Sequence, residues 1–119
     1  MTELEKIDLE LFKVCYPELL RPVINFGQIR YTNEHGHECD LFRFTYDIEV
    51  CFSVLIPEMN RRGWFVDDIH QELENGTICG WNVDLYSVSS DCHCANGKDE
   101  SISVAISKAA YAALKGEKC

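Results

Sequence analysis

Between Asp99 and Gly116 the apolar positions Ile102, Ala105, Ile106, Ala109 and Ala113 recur at helical spacing and make one stripe. Most of that stripe is alanine, so the predicted helix can lie very close to a sheet. Asp99 is placed to cap its start, Lys115 suits its last turn and Gly116 is a natural stop. The same period appears at the N-terminus. Thr2-Glu3-Leu4-Glu5 has the form of a capping box, Ile7, Leu11, Phe12 and Cys15 share one face, and Pro17 and Pro22 break the pattern. A third helix is predicted to open at Thr45, with Asp47 in its first turn and Ile48, Cys51, Phe52, Leu55, Ile56 and Met59 on its apolar face. Pro57 should kink this helix or end it near Ile56. Arg61-Arg62-Gly63, a cationic last turn with a glycine stop, favours a helix that survives the proline.

Strand patterns fill the remainder. Trp64 to Glu74 reads as a strand and Asn75-Gly76 as the two-residue turn of a hairpin, because both positions tolerate positive φ. Trp81, Val83 and Leu85 then alternate strictly with Asn82, Asp84 and Tyr86. A short third strand is expected around Cys92 to Ala95, with a second turn at Asn96-Gly97. Earlier in the chain, Ile24 and Phe26, then Ile29 and Tyr31, alternate ahead of a turn at Asn33-Glu34-His35-Gly36, and Cys39 and Leu41 begin a return strand. These elements predict an α+β layered domain, a small antiparallel sheet packed by helices. With 119 residues the chain is expected to be a single domain, residues 1–44 being a helix and hairpin added to a core at 45–116.

The formal net charge of -9 changes the picture of partners. It opposes direct binding to nucleic acid or anionic membranes and suits a partner with a basic groove. No apolar run approaches the roughly 18 residues of a membrane span, and no signal peptide is visible. The seven cysteines are odd in number and irregular in spacing, which points to reduced thiols in a cytoplasm.

Residues Thr45 to Leu114 resemble the phage ABA sandwich domain, a family of small phage and prophage proteins. The resemblance rests on Thr45-Tyr46-Asp47-Ile48 opening a helix, Arg62-Gly63-Trp64 leading into a strand, Gly80-Trp81-Asn82-Val83, and Ala105-Ile106-Ser107-Lys108-Ala109-Ala110. Ser107 stands where that family often has cysteine. The resemblance implies an α/β/α sandwich and a phage origin, and it implies no catalytic residues.

Three chemistries compete for the function. Glu3, Glu5, Asp8 and Glu10 crowd the first helix, and Asp67, Asp68, Glu72 and Glu74 the central hairpin. Displayed on one surface, such carboxylates imitate a nucleic-acid backbone and fit a basic groove, with Trp64, if exposed, as an interface residue. Solvated strand and helix faces are the ordinary explanation. His35, His37 and Cys39 with Cys92 and Cys94 offer zinc-type ligands, although neither spacing is a C-x₂-C knuckle. Sequestration of a small nucleotide would require Arg30, Arg43, Arg61 or Arg62 to converge with aromatics in a pocket. No nucleophile elbow or phosphate-binding glycine loop is present. The sequence therefore predicts a cytoplasmic binding protein without enzyme activity and without a cofactor. Its most concrete form is a phage inhibitor of a host defence protein, of the anti-CRISPR or anti-restriction kind. A homodimer is compatible with this, and an apolar patch across Ile24, Phe26 and Ile29 would favour one.

Overall fold

The structure, a computed structural model, describes residues 1–88 and 94–116. It has three helices and two antiparallel three-stranded sheets. Helix α1 (Glu3–Cys15) is followed by β1 (Leu20–Ile24), β2 (Gln28–Thr32) and β3 (Glu38–Phe42), which form the first sheet in that order. Helix α2 runs through Ile48–Val50, Cys51–Leu55 and Ile56–Arg61 without a break. The second sheet is β4 (Trp64–Glu74), β5 (Thr77–Ser87) and β6 (Cys94–Asp99), and α3 (Ile102–Leu114) closes the described fold. This is the α+β arrangement that the hydrophobic pattern predicts, with the N-terminal hairpin extended by a third strand.

The capping box of α1 is present: Thr2 Oγ1 accepts from the Glu5 N–H and Glu5 Oε1 accepts from the Thr2 N–H. Two other predicted helix starts are corrected. Asp47, not Thr45, caps α2, its side chain accepting from the Val50 N–H at 3.1 Å. Ser101, not Asp99, caps α3, and Asp99 instead accepts from the Ser101 N–H. Pro57 does not end α2. The turn before it widens into a π-helical segment, Cys51–Leu55, with the Ile56 N–H donating to the Cys51 carbonyl. The register shift places Pro57 near the start of the next α-helical turn, where its missing N–H costs little.

In the N-terminal half the predicted hairpin of β2 and β3 forms around Asn33–Gly36, while Ile24 belongs to an additional strand, β1. The apolar patch considered for a homodimer does not form. Ile29 is fully buried and Ile24 packs against the core, leaving only Phe26 strongly exposed. Buried side chains from both stretches, Ile7, Leu11, Phe12, Ile29 and Phe44 with Leu55, Val83, Ala105 and Ile106, fall in one cluster.

Helix α3 and strand β6 approach each other very closely. A Cβ on Gly97 would come within 2.1 Å of the Ala105 carbonyl oxygen and 2.5 Å of the Ala109 nitrogen. Alanine on the helix and glycine on the strand thus let two backbones touch. Asn96-Gly97 is consequently mid-strand and not the turn that the dipeptide suggests. Asn75-Gly76 is a turn, with φ of 52° and 78° at its two residues.

Candidate binding face

The second sheet turns Trp64, Val66, Ile69, Trp81, Val83 and Leu85 toward the helices. Its opposite face carries aligned rows set by strand register: Phe65, Tyr86 and Cys94; then Asp68, Asp84 and Asn96; then His70, Asn82 and Lys98; then Glu72 with Gly80. Among the described residues no helix covers these rows, and Tyr86, His70 and Lys98 are exposed. Phe65 and Tyr86 hold their ring centroids 6.0 Å apart at one end.

A hydrogen-bond network fixes the polar rows. Asn96 Nδ2 donates to Asp84 Oδ1 at 2.6 Å and to Asn82 Oδ1 at 2.8 Å, and Asn82 Nδ2 donates to Asp84 Oδ2 at 3.2 Å. Asn82 is thereby buried although it sits on the open side of the sheet. The imidazole of His70 lies between two carboxylates. Its Nδ1–H donates to Asp68, and its Nε2 is 3.6 Å from Glu72 Oε1. Lys98 Nζ is 3.8 Å from the same Glu72 oxygen. The hydrogen bond to Asp68 foremost, with the charges of Asp68, Glu72 and Asp84, raises the His70 pKa above its ordinary value.

Three carboxylates, Asp68, Glu72 and Asp84, stand against the single ammonium of Lys98. Protonation of His70 halves that excess of negative charge. The arrangement suits charge recognition better than proton transfer, since both imidazole nitrogens already face carboxylates. The exposed Cys94 is four residues along β6 from the His70 row, about 13 Å at roughly 3.3 Å per residue, beyond the reach of a nucleophile–base pair.

The remaining predicted site residues fall elsewhere. Asp67 is the extra residue of a β-bulge between Val66 and Asp68, and Glu74 lies beside the hairpin turn. Both are exposed, and neither joins the network. Asp8 is corrected outright: it is fully buried, accepting from Arg43 Nε at 2.7 Å, Thr45 Oγ1 at 2.6 Å and the Thr45 N–H at 3.0 Å. Glu3, Glu5 and Glu10 remain on α1, which packs against α3 on the helical side of the second sheet. The two acidic groups therefore do not form one surface. Trp64 is half-buried against the core and is not the exposed anchor envisaged.

His35 and His37 sit on the β2–β3 turn with ring centroids 6.3 Å apart, and Asn33 Nδ2 donates to Cys39 Sγ at 3.5 Å. Cys94 belongs to the other sheet, and Cys92 lies outside the described residues. Among the described residues no three His, Cys, Asp or Glu side chains gather as a metal site. The thiols of half-buried Cys15 and buried Cys51 are poor nucleophiles as well, since desolvation pushes their pKa values up to about 12. The four arginines considered for a nucleotide do not converge. Arg30 pairs with Asp40, Arg43 with Asp8, and Arg61 and Arg62 both with Glu58.

His70, Asn82, Asn96 and Lys98 were not legible as site residues. The polar alternation of Asn82 and Asp84 was visible, but the turn-like Asn96-Gly97 hid the strand that completes the face. Comparison with protein-family models, with curated proteins and with solved structures finds no match. No helix among the described residues is long and apolar enough to cross a membrane.

Proposed function

We propose that this chain is a binding protein that presents the open face of its second sheet to a basic groove on a protein partner. The observation that carries this reading is the carboxylate set Asp68, Glu72 and Asp84 held in adjacent rows on a sheet face that no helix among the described residues covers. Side chains fixed by Asn82, Asn96 and His70 lose little freedom on docking, which favours affinity and register. The specific form proposed is a phage accessory protein, acting in a bacterial cytoplasm, that blocks a host defence component where that component would hold nucleic acid. Its phage origin is supported by the sequence resemblance, and its mode of action by the net charge of -9.

The test is affinity capture of the tagged protein from bacterial lysate at low and moderate salt, beside an Asp68→Asn/Glu72→Gln variant. The expected result is one stoichiometric partner with a basic nucleic-acid groove, weakened by salt and lost with the double variant. No partner at either salt, or one held equally by the variant, would overturn the proposal.

A further inference from the structure

The β1–β2 turn is closed by reciprocal backbone hydrogen bonds between Asn25 and Gln28, which leave Phe26 and Gly27 at its tip. Asn25 Oδ1 accepts from the Phe26 N–H, so the turn uses the backbone of Phe26 and makes no demand on its ring. That ring is nevertheless 84% exposed. It stands edge-on to Tyr46, with centroids 5.9 Å apart, and the Arg43 guanidinium lies 4.3 Å from the Tyr46 centroid. Arg43 in turn donates from Nη1 to the Phe26 carbonyl at 2.8 Å and from Nε to buried Asp8. An aromatic corner is thus mounted on a buried ion pair and held in place before any partner arrives.

This corner lines a groove of about 710 Å³ together with Leu4, Ile24, Glu3 and Glu5. Glu5 is engaged in the capping box, whereas Glu3 makes no ion pair among the described residues. Glu3 and Glu5 line the groove, and its one lining guanidinium, Arg43, is already paired with buried Asp8, so an anionic occupant such as a phosphate is disfavoured. A second copy of the chain is disfavoured too, since each carries a net charge of -9.

We propose that this groove receives an arginine side chain from a protein partner. The aliphatic stem lies along Ile24 and Leu4, the planar guanidinium stacks on the open Phe26 ring, and Glu3 and Glu5 neutralise its charge. The site is separate from the open sheet face, so each can fail without the other.

The experiment is a ¹H–¹⁵N NMR titration of the full chain with acetyl-Gly-Arg-Gly-amide, and with the same peptide carrying neutral citrulline in place of arginine. Saturable shifts centred on Glu3, Glu5, Phe26 and Gly27 are expected from the arginine peptide alone. Phe26→Ala, an exposed position that leaves the fold intact, should weaken binding about three- to tenfold. Shifts spread over all acidic positions or centred on Asp68 and Glu72, equal binding of the citrulline peptide, an unchanged Kd in Phe26→Ala, or no saturable shift would each overturn the assignment.

Discussion

Asp8 with Arg43 and Asp68 with His70 both pair a carboxylate with a basic side chain, one with side chains 0% and 5% exposed, the other 50% and 45% exposed. Burial makes the first a structural joint. Asp8 on α1 holds the backbone and hydroxyl of Thr45 together with Arg43, and Ser103 on α3 donates to the Thr45 carbonyl at 2.9 Å. Three parts of the chain meet there with their polar groups satisfied, so loss of one partner strands a charge in a medium that cannot solvate it. In the second pair water screens both charges. Such a pair contributes little to folding and remains available to a partner. The same residue chemistry builds a joint in one place and is left at the surface in the other, and depth decides which.

The largest effect should come from breaking the buried pair. Asp8→Ala leaves Arg43 buried without its carboxylate and should cost about 3–5 kcal/mol in urea denaturation. The paired change Asp8→Leu/Arg43→Met should recover most of that loss, because two apolar side chains leave no stranded charge. A double variant as unstable as Asp8→Ala would show that the hydrogen bonds to Thr45, and not the charge pair, hold the joint.

Next comes the face of the second sheet that looks inward. Gly97→Ala puts a methyl group where the Ala105 carbonyl oxygen and Ala109 nitrogen stand, and backbone cannot rotate aside as a side chain can. The expected loss is about 3 kcal/mol, the upper end for overpacking. Gly76→Ala, where the same methyl would meet nothing within 4 Å, isolates the contribution of positive φ alone. Equal losses at the two glycines would refute the close-approach account.

How much of this was legible beforehand follows from how local each cause is. The capping box of α1, the Asn75-Gly76 turn and the strict alternation of β5 are settled by neighbours in sequence, and the pattern read them directly. The alanine stripe of α3 correctly announced a close approach. Its counterpart, Gly97, carries the signature of a turn residue, because glycine next to asparagine looks the same locally in both roles. Asp8 shows the limit more sharply. It sits among Glu3, Glu5 and Glu10 on α1, and its partners Arg43 and Thr45, 35 and 37 positions away, distinguish it from them. The open face of the second sheet was half visible for the same reason: Asp68, Glu72 and Asp84 lie on one hairpin, whereas Asn96 and Lys98 join it only through β6.

The smallest effect on stability, and the most informative for recognition, belongs to His70. Its pKa is raised in the folded chain above the ordinary value of about 6.5. The stabilisation this linkage supplies is therefore complete below that ordinary value and is lost as pH rises through the raised folded value. Binding to a basic partner should follow the opposite course. Above the folded pKa His70 is neutral, and Asp68, Glu72 and Asp84 face Lys98 alone, so affinity should rise as pH increases through that point. NMR titration of the His70 ring should give a pKa above 6.5 that falls back toward it in Asp68→Asn, with little change in the denaturation midpoint. Should Asp68→Asn leave that pKa in place, the Asp68 hydrogen bond would not be its cause. Should His70→Gln abolish binding instead of flattening its pH dependence, the ring would be a direct contact and not a modulator of the charge around it.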